Sequence, residues 1–178
     1  MIQSLNIKPF SFILLTLGVL YANLAVAADQ PNIVLILADD QGWGATSVLM
    51  DKNIPDSRSD FIQTPNLERL ADRGVVFSQA YAPHPNCSPS RYSILTGKSP
   101  ALLQMTDIVG RHSGATYIGN RMTPPPHVND IADEEVTIAE LIKKHRSNYR
   151  TAHFGKWHIN GGGPERHGFD ASSGETGN

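Results

Sequence analysis

Three features of the sequence predict an α/β fold with a mainly parallel sheet flanked by helices. Residues 32–38, NIVLILA, form an unbroken apolar run rich in branched side chains, as in a strand buried on both faces. Apolar segments of strand length then alternate with segments carrying helix start and stop signals. Thr137-Ile138-Ala139-Glu140 has the capping-box pattern that opens a helix. Such alternation favours a parallel sheet whose sites gather at the C-terminal ends of its strands.

The first strand ends in Asp39-Asp40-Gln41-Gly42, and the polar stretch 50–63, with Pro55, reads as a surface loop. A helix follows in which Thr64 stands at the cap, Pro65 in the first turn, Leu67, Leu70 and Ala71 on an apolar stripe, and Gly74 at the C-terminal end. Residues 75–77 then suit a second strand. The proline-rich loop 81–89 delivers Cys87 to the N-terminus of a helix over 89–95 that Gly97 closes.

Residues 110–130 have no periodicity and contain Pro124-Pro125-Pro126, so they read as a long loop of the kind that carries specificity. The capping box opens a helix with Ile138, Leu141 and Ile142 on its inner face. Residues 149–154 return as a strand, and no internal repeat is present.

Before this core lies an address. Residues 10–26 are almost wholly apolar after Lys8, and Ala25-Val26-Ala27 is the small-x-small pattern cut by signal peptidase. Residues 1–27 therefore read as a signal peptide, with a mature start near Ala28 or Asp29. The run is short for a membrane span and is broken by Ser11, Thr16, Gly18 and Asn23, which argues against a stable membrane anchor. The protein is expected to be exported, periplasmic or secreted, with residues 28–178 as one domain.

A net charge of -2 and a pI near 6.4, with both signs scattered, exclude a nucleic-acid surface. The expected partner is a small molecule or a glycan. Cys87 is the single cysteine, so it forms no internal disulfide and is either a packed bystander or chemically used. Asp39 and Asp40 either cap a turn or bind a hard divalent cation through oxygen.

Cys87-Ser88-Pro89-Ser90-Arg91, continuing to Thr96-Gly97, resembles the C-x-P-S-R signature of sulfatases, with T-G at the family's spacing. Tyr149 to His158 is similar to the family's second signature, G-Y-x-T-x-x-x-G-K-W-H. Asn148 replaces its first glycine, and Asn160 also stands where glycine is common. Both are turn-tolerant residues.

The resemblance implies an alkaline phosphatase-like fold, incomplete in this chain, and sulfuric ester hydrolysis. It also implies that a formylglycine-generating enzyme oxidises Cys87 to formylglycine. One hydroxyl of the aldehyde hydrate would attack sulfur and the other would expel sulfate, an exit that serine lacks. Carried over by position, Arg91, Lys156 and His158 contact the sulfate or the leaving oxygen. Asp39, Asp40 and the modified Cys87 bind calcium, and the substrate is a sulfated small molecule or polysaccharide.

His84, His112, His127 and His167 have no role in that pattern and read as solvent-facing loop residues. The resemblance runs from about Pro31 to Asp170. Family members continue for several hundred residues, with a later Asp-Asn pair on the calcium and a further Lys and His on the substrate. The chain therefore reads as an N-terminal portion of a catalytic domain that alone is weakly active or inert. A phosphonate monoester hydrolase of the same superfamily and a non-catalytic fragment are the competing readings.

Overall fold

The computed structural model describes residues 30–110 and 126–177. The signal segment, His112 and most of the loop 110–130 lie outside the described residues. The chain divides into two units, 1–38 and 39–178.

In the first unit, residues 32–38 belong to no helix and no hydrogen-bonded ladder among the described residues, and Val34 and Ile36 are 81% and 84% exposed. The predicted first strand is thus corrected to an unpaired segment. A parallel strand needs neighbours on its edges and helices on its faces. Residues 75–77 are corrected likewise, being exposed and unpaired.

Among its described residues the second unit contains three α-helices, two short 3-10 helices at Pro55–Ser57 and Pro164–His167, and one small sheet. Helix α1, Pro65–Arg73, forms where the proline, stripe and glycine placed it, with Gly74 as its C-cap. Thr64 makes no side-chain cap. Its hydroxyl and N–H instead pair reciprocally with Ser47, at 2.9 and 2.8 Å. The apolar stripe stays exposed, Leu70 by 65%, so burial contributes little to α1.

Helix α2, Cys87–Thr96, is one turn longer than predicted. Gly97 ends it in the left-handed region at φ 70°, and its N–H bonds Ser93 O. Tyr92 and Leu95 of α2 enter the core with Leu103, Met105, Ile131, Trp157 and Ile159. The Ala132 N–H donates to the buried Tyr92 hydroxyl at 3.1 Å.

Helix α3, Ile138–His145, carries both halves of the predicted capping box between Thr137 and Glu140. Its inner face differs from expectation. Ala139 is buried, whereas Ile138 and Leu141 are exposed. The chain passes close to α3 at Gly168, where a Cβ would lie 2.4 Å from Glu140 Cγ, and glycine also takes the φ of 92° found there without strain.

Thr137 is fully buried, and its hydroxyl also donates to His167 O at 2.7 Å. Thr137→Ala removes a cap and a buried tertiary bond together. It is expected to cost about 2 kcal/mol of stability, seen as a lower urea midpoint. Thr137→Ser should recover most of that loss, and an unchanged midpoint for the alanine variant would show that the cap is not needed.

The sheet pairs β1, Ala152–His153, with β2, Ala171–Ser172, in parallel. The predicted strand over 149–154 is therefore present but two residues long. Asp170 binds the sheet to α3. Its carboxylate accepts from Lys143 Nζ and from Thr151 N–H, both at 2.8 Å. These bonds, Lys143 first, hold its carboxyl down to about 2.

Candidate active site

Cys87 is the first residue of α2 and a half-buried free thiol. The loop before it is folded onto the helix by its own residues. The Asn86 N–H donates to His84 Nδ1 at 3.0 Å, the Ser90 hydroxyl donates to His84 O at 2.5 Å, and the Ser90 N–H donates to Asn86 O at 3.3 Å. His84 is thus half-buried and is an acceptor at Nδ1, which corrects the solvent-facing expectation.

Pro89 occupies the first turn, where its missing N–H leaves no helical bond unmade. Ser88 is fully buried and its hydroxyl accepts from the Val109 N–H at 3.2 Å. The signature residues around Cys87 are therefore structural fasteners in the folded chain.

Arg91 follows Cys87 by four residues, which places both on one face of α2. Its guanidinium lies 3.5 Å from Asp39 Oδ1 and also donates to Lys156 O. Lys156 Nζ donates to Asp39 Oδ2 at 2.8 Å. One carboxylate thus lies between two cations from far along the chain. The Lys156 bond, and then the Lys156 and Arg91 charges, hold the Asp39 carboxyl below its usual range against a partial desolvation penalty.

The Arg91 and Lys156 side chains are only 10% and 14% exposed, whereas that of Asp39 is 43% exposed. Positive charge is consequently concentrated in a partly dry place beside a carboxylate that solvent reaches. Arg91 Nε and His158 Nδ1 are buried with no hydrogen-bond partner among the described residues. Burial, followed by the Lys156 and Arg91 charges, pushes the His158 imidazole down, while Asp39 opposes them. The neutral form of His158 is thereby favoured.

His158 and Asn160 both take left-handed backbones, at φ 54° and 49°. Asparagine tolerates that region, so Asn160 can stand where glycine is common. Asp40 is exposed, also with a left-handed backbone, at φ 56°. Of the predicted residues, Asp39, Arg91 and Lys156 meet directly, Cys87 shares the face of Arg91, and His158 feels the charges of all three. No group of three or more His, Cys, Asp or Glu side chains able to hold a metal occurs among the described residues.

Sequence reasoning missed the residues that brace this site. Trp157 is buried, and its indole N–H donates to Asn160 O at 2.7 Å. His167 stacks on it at 5.8 Å, and His153 meets it edge-on at 5.2 Å. His167 is 1% exposed, with Nε2 2.9 Å from Gly161 O, so its solvent-facing assignment is corrected. Gly161 allows this approach because a Cβ there would lie 3.0 Å from His167 Nε2 and 2.5 Å from Ile131 Cγ2. The signal was available in the His167-Gly168-Phe169-Asp170 stretch, which lies within the family resemblance.

A sequence model of the Sulfatase family matches residues 31–177. The chain is 38% identical over 162 residues to the N-acetylgalactosamine-6-sulfatase of Mus musculus, covering 89% of this chain and 28% of that one. It is 39% identical over 146 residues to arylsulfatase A of Homo sapiens, covering 82% and 24%.

Among solved structures, Ps i-CgsB, also seen in complex with k-i-k-neocarrahexaose, aligns with a TM-score of 0.59 at 31% identity, over 80% of this chain and 27% of that one. The chain thus spans about a quarter of the length of the proteins it matches. The parallel α/β class expected from the sequence is shared with these structures. With the family match running through both signature segments, the chain belongs to the sulfatase family.

Proposed function

We propose that this chain supplies the nucleophile and part of the sulfate-binding machinery of an exported sulfuric ester hydrolase acting on a sulfated carbohydrate. The observation that carries this reading is the meeting of Arg91, Lys156 and Asp39 beside the helix face that bears Cys87. A relative named for a sugar sulfate and a related structure bound to neocarrahexaose support the substrate class.

Each residue has a distinct role. Lys156 offers a compact point charge to a sulfate oxygen, and Arg91 offers guanidinium donors, including the unpartnered Nε. Neutral His158 donates a hydrogen bond to the ester or leaving oxygen. The α2 N-terminus adds a partial positive charge beside residue 87. As formylglycine, residue 87 would supply a hydrated aldehyde as nucleophile.

Asp39, Asp40 and the oxidised side chain of residue 87 offer hard oxygen donors that fit calcium. Solvent reaches the Asp39 carboxylate, whose partners are the Arg91 and Lys156 cations, and calcium bound there would share or displace those pairs. Bound there, calcium would polarise a sulfate oxygen. Among the described residues no helix is long and apolar enough to cross a membrane, and residues 1–27 are proposed as the export signal of a domain over 28–178.

Burial of Ser88 and Pro89 means that a modifying enzyme reading a linear C-x-P-S-R segment must act before α2 forms. Protein purified from its own host, cut and treated with an aldehyde-reactive hydrazide, should yield the Cys87 peptide with the mass of the hydrazone. Folded chain carrying a thiol should stay unmodified when mixed with the modifying enzyme. A plain thiol in the host protein would defeat the catalytic reading. Faster hydrolysis of an aryl phosphonate than of an aryl sulfate would move the activity to phosphonate esters.

A further inference from the structure

We propose that Thr176 is a positioning residue that holds the turn over Gly155–His158 in the shape that presents Lys156 and His158. The turn belongs to no helix or strand, yet it carries both groups assigned to the sulfate. It also contains a non-glycine residue at positive φ, His158 at 54°. Such a backbone is held only when bonds from outside over-determine it.

Those bonds converge on one residue. Thr176 O accepts from two successive N–H groups, those of Trp157 and His158, each at 2.9 Å. The Thr176 hydroxyl accepts from the Trp157 N–H at 3.2 Å and donates to Gly155 O at 2.5 Å. Ser173 Oγ adds an acceptor for the Gly155 N–H at 2.9 Å. The carbonyl of Lys156 is taken from the other side by Arg91.

Thr176 thus spans the turn from Gly155 to His158, one residue before and two after the lysine–aspartate pair is anchored at Lys156. Its hydroxyl serves as donor and acceptor at once, a pairing that valine lacks and serine retains. Because it contacts backbone and not the charged groups, it acts through orientation, which reaches the rate more than ground-state binding.

The test uses Thr176→Val and Thr176→Ser in protein purified from its own host. In the valine variant, amide exchange of a peptide covering 155–159 should quicken by about tenfold, while the α3 amides keep their protection. Serine should restore both. On an aryl sulfate, kcat should fall by about tenfold in the valine variant with a smaller change in KM, again restored by serine.

The kinetic arm rests on the sulfatase reading, whereas the exchange arm does not. If the unaltered protein hydrolyses no sulfate, that reading fails and amide exchange alone decides the role of Thr176. Unchanged exchange in the valine variant, equal losses in both variants, or faster exchange throughout α3 would each overturn the proposal.

Discussion

Replacing Cys87 with serine is expected to lower turnover of an aryl sulfate by on the order of a thousandfold or more, in protein purified from its own host. The fold should survive. Cys87 is a half-buried free thiol at the first position of α2, it forms no disulfide, and serine is of similar size and common near helix starts. The thermal midpoint should therefore shift little while kcat collapses. A serine hydroxyl can take up sulfate once but lacks the second hydroxyl through which a hydrated aldehyde releases it. Retention of more than about a tenth of the rate would remove residue 87 from the nucleophile's role, since loss of a true nucleophile costs far more than that.

Lys156→Ala is the second large effect, expected at roughly a hundredfold or more in kcat/KM, the scale for removing a preorganised charge from a transition-state anion. Lys156→Arg should recover only part of it. The ammonium sits 2.8 Å from Asp39 in a side chain 14% exposed, and a planar fork does not fill the place of a point charge. Steady-state kinetics on an aryl sulfate measure this, and an unchanged kcat/KM would place Lys156 outside the site.

The same variant has an acid signature. The Asp39 carboxyl is held below its ordinary value, first by the Lys156 bond. Its contribution to stability is therefore present above the ordinary carboxylate pKa and disappears as pH falls through the lowered one. Lys156→Ala should lose stability at neutral pH and converge with the unaltered protein in strong acid. Thermal midpoints measured across that range would show a constant offset instead if Asp39 and Lys156 do not interact.

Local chemistry was legible without coordinates wherever it closes within a few residues. The capping box at Thr137 and Glu140 needs only a spacing of three, and the α2 stop at Gly97 needs only a residue that enters the left-handed region freely. Pro65 and Gly74 bracket α1 for the same reason. The signature segments likewise marked Cys87, Arg91, Lys156 and His158 as candidates through their resemblance to the family pattern, which needs no coordinates.

Pairing and burial were decided elsewhere. Residues 32–38 and 75–77 have the composition of strands, but a strand exists only when another edge completes its hydrogen bonds, and none does among the described residues. His167 resembled any loop histidine until the fold stacked it on Trp157, and Thr176 had no distinguishing neighbour in sequence. What the sequence alone determined is which residues are candidates for chemistry and roughly where the helices lie, since these follow from side-chain type and short spacing. Only the tertiary structure could bring Asp39, Arg91 and Lys156 to one point and clamp the turn that holds them, because contacts between residues more than fifty positions apart depend on the path of the whole chain.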